Sequence, residues 1–190
     1  MGSQRLDRER VLQNTTQLDS FLAEVQRRAF RMAQLATGNT EDAMDVVQDA
    51  MFKLVEKYSD RPAEEWPPLF YRILHSRIND WYRRNSVRRR YLTVLGGNSD
   101  EQDEDPIQTS RDPKGRTPEE VLQADASMEK LQSALQNLPL RQQQAFLLRA
   151  WEGLDVKQTA QAMSCAEGSV KTHYSRAVHS LREQLGEFWP

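Results

Sequence analysis

Near the C-terminus Ser169, Thr172, Ser175, Arg176 and His179 fall at the spacing that gathers residues on one side of a helix, opposite the apolar series Val170, Tyr174, Ala177, Leu181 and Leu185. Hydroxyls, a guanidinium and an imidazole on one strip can meet base edges and phosphates. Lys171 and Arg182 flank them and suit phosphate attraction, which positions a protein on nucleic acid without reading sequence. A helix with nothing to bind more often carries Glu and Lys pairs on its outer face. The competing reading of the same pattern is a three-helix core with a solvated polar face.

Two further clusters carry chemistry. From Arg72 to Arg90 there are seven arginines against the single Asp80, a local balance of +6. Helical spacing turns Arg72, His75, Ser76, Asn79 and Arg83 away from the apolar stripe Phe70, Leu74, Ile78 and Trp81, and Arg84 and Arg88, Arg89 and Arg90 continue the charge. Phosphate neutralisation by such a cluster gives an affinity that falls steeply with salt. Further upstream, Asp45, Gln48, Asp49, Phe52 and Glu56 lie opposite the stripe Ala43, Val47, Ala50, Met51, Leu54 and Tyr58. An aromatic side chain inside an acidic ring is the anatomy of a protein docking site, an apolar anchor with a charged rim, although a plain solvated face has the same composition.

Catalytic groupings are missing from the pattern. There is no glycine-rich phosphate loop, His75, His173 and His179 lack metal-ligand spacing, and Cys165 has no neighbouring histidine to serve as its base. Asp42, Asp45 and Asp49 could hold a cation, but Asp45 and Asp49 share their face with Phe52 and no neutral or basic ligand converges on them. A single cysteine excludes an intramolecular disulfide and a multi-cysteine zinc site, and reads as a small packing residue. The expectation is a binding protein, not an enzyme, with no metal and no cofactor.

The elements that would position these residues are all helical. Of 190 residues, 38% are hydrophobic and 28% charged, too lean for one large core and adequate for small helical domains. The pattern predicts an all-α protein of two small helical domains joined by a flexible acidic linker, the second domain a helix-turn-helix. Residues 1–17 read as a flexible leader, 18–95 as the first domain, 96–118 as the linker and 119–190 as the second domain. Leu18, Phe21, Leu22, Val25, Ala29, Met32 and Ala36 stripe a first helix that Gly38 and Asn39 end; Thr40 can cap the next, with Glu41 and Asp42 in its first turn. Ser59 to Pro68, with three prolines, reads as a loop before the third helix. Asn98 to Glu120 sets eight acidic residues against three basic ones with no periodicity. Thr117-Pro118-Glu119-Glu120 then reads as a helix start, followed by Val121, Met128, Leu131, Leu135 and Leu138, and Pro139 opens a helix to about Trp151. Glu152-Gly153-Leu154 breaks the chain, a short helix runs from about Val156 to Met163, and Ser164-Cys165-Ala166-Glu167 offers a second capping box before the long helix. No long apolar run occurs and Met1 to Gln17 is unlike a signal peptide, so a cytoplasmic protein without membrane insertion is expected.

With these residues in view, Leu138-Pro139 to Leu185, above all Gly168-Ser169-Val170-Lys171 and Ser175-Arg176-Ala177, resembles region 4 of the extracytoplasmic-function (group 4) sigma factors of the bacterial sigma-70 family. Thr40-Glu41-Asp42-Ala43 with Asp45, Val46, Val47, Gln48 and Asp49 resembles the start of region 2, and Phe70 to Leu74 with Asp80-Trp81 and Arg83-Arg84 its later part. The resemblance covers roughly Leu18 to Arg90 and Ser127 to Leu185, in the family's order. It implies a subunit that binds core RNA polymerase, directs it to promoters and helps melt DNA. Asp45, Gln48, Asp49, Phe52 and Glu56 would then meet a coiled coil on the largest polymerase subunit.

On the same resemblance Arg72, Ser76, Asn79, Asp80, Arg83 and Arg84 would hold the melted minus-10 strand, with Trp66 and Tyr71 as stacking platforms for unpaired bases; core packing is the other reading of Trp66. Ser169, Lys171, Thr172, Ser175, Arg176 and His179 would read the minus-35 duplex. Ser76 stands where the family often has Asn, and His173, Val178 and His179 stand where it is often basic, which shifts weight onto Lys171 and Arg176. The acidic linker has two readings, a path through polymerase channels or a solvated tether. An anti-sigma factor is a further partner the family admits, and both a compact and an extended arrangement of the domains suit the linker's length. The rival function is a helix-turn-helix regulator that acts without replacing sigma and uses its first domain for dimerisation or ligand sensing.

Overall fold

A computed structural model describes the backbone of residues 2–94 and 128–186, and the side chains of residues 14–85 and 128–186. Three helices come first: α1 (Gly2–Thr37), α2 (Thr40–Tyr58) and, after a 3-10 turn at Ala63–Glu65, α3 (Trp66–Val94). The second group holds α4 (128–136), α5 (Leu140–Phe146) continued by a π turn at Leu147–Trp151, then α6 (Val156–Met163) and α7 (Glu167–Leu185). Among the described residues there is no strand.

In the first group the expected stripes are buried. Leu18, Leu22, Val25, Ala29, Met32 and Ala36 of α1 close against Ala43, Val47, Ala50 and Leu54 of α2 and against Phe70, Leu74 and Ile78 of α3. An aromatic cluster seals one end, with Phe21 6.0 Å from both the Trp66 and Phe70 rings. Gly38 ends α1 at φ +70°, a left-handed conformation that costs glycine nothing. Asn39, not Thr40, caps α2: it has the extended backbone a cap needs, and its side-chain oxygen accepts from the Asp42 N–H at 3.0 Å.

Two boundaries differ from expectation. The backbone of α1 starts at Gly2, so the segment read as a flexible leader continues the helix, and Asn14 donates from its side chain to the Ser59 carbonyl at the end of α2. The loop expected over Ser59 to Pro68 is shorter because α3 begins at Trp66. Pro67 and Pro68 occupy its first turn, where a missing N–H leaves no intrahelical bond unmade.

The second group forms a helix-turn-helix. Leu148, Met163, Val170, Ala177 and Leu181 fill its core, and the Phe146 and Tyr174 rings stack 6.1 Å apart. The capping box expected at Ser164–Glu167 does not form, because Ser164 is already committed to the left-handed residue that closes α6 (φ 51°, ψ 51°); Ala166 opens α7 without a side-chain cap. The box that does form was missed: Asp155 accepts from the Gln158 N–H at 2.7 Å, and Gln158 accepts from the Asp155 N–H at 3.0 Å. Asp-x-x-Gln before an apolar run was the available signal. The helix start expected at Thr117 and the acidic linker lie outside the described residues.

The two groups touch. α6 packs along α3, the Gln143 amide reaches the Leu35 carbonyl at 3.5 Å, and the buried apolar residues of both groups join in one cluster. Of the two arrangements compatible with the linker, the structure adopts the compact one.

The Asp155 box is a local test of this account. Asp155→Ala should lower unfolding free energy by about 1 kcal/mol, seen as a lower urea midpoint with an unchanged slope. An unaltered midpoint would mean that tertiary packing alone sets the start of α6.

Candidate nucleic-acid and protein interfaces

The polar strip of α7 is displayed as its spacing predicts. Lys171, Thr172, Ser175, Arg176 and His179 are exposed and Ser169 is half-buried, while Val170, Ala177, Leu181 and Leu185 are inside. The Thr172 hydroxyl donates to the Gly168 carbonyl at 3.0 Å, and His179 lies 3.4 Å from Glu183. A rigid helix with its apolar side anchored and its donors outward is a shape that enters a DNA major groove.

On α2, Asp45, Gln48, Asp49, Phe52 and Glu56 are all exposed, Phe52 at 74%. Met44 and Val55 are exposed too and lengthen the apolar anchor into a ridge along the same side of the helix. Sequence reasoning missed them, although their spacing of eight before and three after Phe52 places both within a quarter-turn of it, on the same side. Phe52 borders a groove of about 430 Å³ whose other wall is α3, with Trp81 and Arg84. Arg77 of that wall lies 3.9 Å from Asp49.

α3 departs most from expectation. Arg72, Ser76, Arg83 and Arg84 are exposed and Asn79 and Asp80 half-buried, with Asp80 3.7 Å from Arg83. Trp66 and Tyr71, expected as stacking platforms, are both 1% exposed. Trp66 is a core residue whose indole N–H donates to the Tyr58 carbonyl at 3.1 Å. Tyr71 packs edge-on against Phe70 and faces Glu152, which arrives from beyond the π turn. His75, expected on the outer face, is buried as well, because α6 covers that side of α3. The charges of Arg88, Arg89 and Arg90 lie outside the described side chains.

The junction between the groups is polar at its centre. Arg28 Nε of α1 lies 3.4 Å from Glu152 Oε2, with the Glu152 side chain only 4% exposed. Burial raises the Glu152 carboxyl, while Tyr71 and Arg28 hold it back. Burial, reinforced by the Glu152 carboxylate, likewise pushes the Tyr71 hydroxyl upward. The Tyr71 hydroxyl is buried against the Glu152 carboxylate. Burial, and then the charge of Arg141 on α5, lowers His75 to about 3, so its imidazole is neutral at physiological pH with both nitrogens unpartnered. Among the described residues no cluster of His, Cys, Asp or Glu is arranged to hold a metal, and no helix is long and apolar enough to cross a membrane.

Comparison with known proteins follows the same division of the chain. Residues 19–88 match Sigma-70 region 2 and residues 128–181 match Sigma-70, region 4. The chain is 27% identical over 169 residues to the ECF RNA polymerase sigma factor EcfG of Rhodopseudomonas palustris, covering 88% of this chain and 83% of that one. It is also 27% identical over 172 residues to the ECF RNA polymerase sigma factor SigE of Mycolicibacterium smegmatis, covering 89% of this chain and 62% of the relative. Its fold is similar, at a TM-score of 0.60 and 23% identity, to the sigma factor RpoE from Bartonella quintana in complex with the anti-sigma factor NepR; the alignment covers 87% of this chain and 96% of that one.

Buried His75 makes the junction sensitive to acid. A group whose folded-state pKa is depressed contributes stability above its unfolded value and loses it as pH falls. Stability should therefore drop as pH falls from 6.5 toward 3, whereas His75→Leu, which removes two unpartnered buried nitrogens, should lose less over that range. Denaturant midpoints measured along the pH series decide the point, and parallel curves for the two proteins would contradict it.

Proposed function

The chain belongs to the sigma-70 family as an extracytoplasmic-function sigma factor, a non-enzymatic subunit that directs core RNA polymerase to promoters, and from that premise we propose which of its faces meets which partner. The observation that carries the assignment is the exposure of three chemically different faces on three helices, each anchored by its own buried stripe. The ridge of Met44, Phe52 and Val55, rimmed by Asp45, Asp49 and Glu56, docks on polymerase; the resemblance names the coiled coil of its largest subunit. Apolar anchors surrounded by charge carry most of the energy of such contacts.

Arg72, Ser76, Asn79, Arg83 and Arg84 take the melted minus-10 strand, with Asp80 orienting Arg83. Cations supply the affinity and the neutral groups are available to bases. The strip from Ser169 to His179 takes the minus-35 duplex, with Lys171 and Arg176 as its main cations. We infer that the compact arrangement is the resting one. α6 lies beside the open strand-binding arc of α3 and covers the side that carries His75, so polymerase docking must part the two groups before Tyr71 and the other covered residues can meet unpaired bases. A ligand shifts such an equilibrium by its differential affinity for the open form. Its site of action is the cytoplasm, where polymerase works. An anti-sigma factor is a further partner, supported by the complex of the Bartonella quintana neighbour.

Run-off transcription with core polymerase over a promoter library tests the assignment. Phe52→Ala should weaken affinity for core polymerase by about tenfold or more. Arg176→Ala should leave that affinity intact and lower initiation about tenfold through the minus-35 element. Wild-type values for both would remove the residue assignments, and duplex binding without any protein-dependent initiation would favour the regulator that acts without replacing sigma.

A further inference from the structure

Where the C-terminal half of α2 and the middle of α3 meet α5 and α6, they enclose an open crease of about 550 Å³. Five of its lining side chains are cations, Lys53, Lys57, Arg72, Arg77 and Arg141, and none is a carboxylate. Four of the cations belong to the first group of helices, and Arg141 comes from the second. Closure therefore sets Arg141 against like charges with no anion in the lining between them, a repulsion that the compact form carries.

The cations keep binding capacity to spare. Lys53 lies 3.8 Å from Glu56 and Arg77 3.9 Å from Asp49, long pairs with partly exposed members that contribute little. Arg72 lies over the Tyr58 ring and gives one donor to its hydroxyl at 3.1 Å, and Arg141 gives one to the Met163 carbonyl at 2.8 Å. A guanidinium has five N–H donors, so these bonds hold each fork in place without exhausting it. His75, 3% exposed with both ring nitrogens unpartnered, contributes to the wall between them.

We propose that this crease is a binding site for a compact oligophosphate, a chain of two or more phosphoryl groups, free or borne by a nucleoside, that bridges Arg141 to Arg72, Arg77 and Lys57. Guanidinium forks match phosphate oxygens in shape and charge. The volume falls in the range of small-molecule sites and exceeds the needs of a single phosphate. The ligand neutralises the repulsion across the junction, so by mass action it stabilises the compact form and opposes exposure of Tyr71 and of the side of α3 that α6 covers. That consequence rests on the assignment of α3 to the minus-10 strand; the site itself does not.

Calorimetric titration of the full chain with inorganic triphosphate tests the site, with adenosine triphosphate and a single-stranded minus-10 oligonucleotide as separate probes. The expected result is saturable one-to-one binding of triphosphate, weakened about tenfold by Arg141→Gln, with the oligonucleotide bound by that variant at least as well as by wild type. Lys57→Gln, an exposed position, should weaken triphosphate in the same direction and serves if Arg141→Gln does not fold. Arg27→Gln, on the exposed side of α1 away from the crease, should change nothing. Tighter binding of adenosine triphosphate than of triphosphate would assign the ligand to nucleotides, and equal or weaker binding to the phosphate chain alone. Absence of saturable binding, equal losses in Arg27→Gln, or a loss confined to Arg72→Gln with Arg141→Gln and Lys57→Gln unaffected would overturn the proposal. None of these outcomes bears on polymerase-dependent initiation, which is measured independently.

Discussion

α3 is packed from two sides, and the surface left over governs what the molecule can bind. Its apolar stripe closes against α1 and α2, as three amphipathic helices require if they are to bury their apolar faces. A second side, carrying Ile73 and His75, is covered by α6. Among the described side chains the arc with Arg72, Ser76, Arg83 and Arg84 remains open, with Tyr82 beside it. The side chains proposed to form a nucleic-acid surface thus sit beside an intramolecular contact that keeps Tyr71 and His75 covered.

The polar centre of that contact lowers the energetic cost of release. Glu152, nearly enclosed, faces Arg28 at 3.4 Å, beyond ideal hydrogen-bond distance, and both His75 nitrogens are buried without a partner. Arg28 is partly exposed and also pairs with Glu24 at 3.1 Å, so the enclosed Glu152 carboxylate regains only part of its desolvation cost. Unpaired polar groups at an interface favour separation, because water satisfies them once the two halves part. Ala29, Ala50, Leu54, Phe70 and Leu181 are fully enclosed, and within the second group the Gln144 amide of α5 is also buried without a partner.

Much of this was legible in the sequence because helical periodicity sorts residues into inner and outer faces. The stripe of α7 and its polar strip, the acidic face of α2 around Phe52, and the helix-turn-helix spacing all follow from positions three and four apart. The illegible parts depend on contacts between distant residues. Nothing near Tyr71 or His75 announces that a helix some ninety residues later will cover them. Glu152 reads as part of a chain break, and only the π turn at Leu147–Trp151 and the left-handed Gly153 bring it to α1 and α3. Capping errors at Thr40 and Ser164 have a smaller cause: neighbouring residues compete for one cap, and the backbone angle of each decides between them.

The central claim is that polymerase parts two groups of helices that rest together in the free protein. Distance measurement between spin labels at exposed Gln26 of α1 and exposed Lys157 of α6, with Cys165 replaced by serine, addresses it directly. A narrow, short distance in the free protein that lengthens on binding core polymerase and promoter DNA is the predicted result. A broad, long distribution in the free protein, or a distance unchanged in the polymerase complex, would contradict the account.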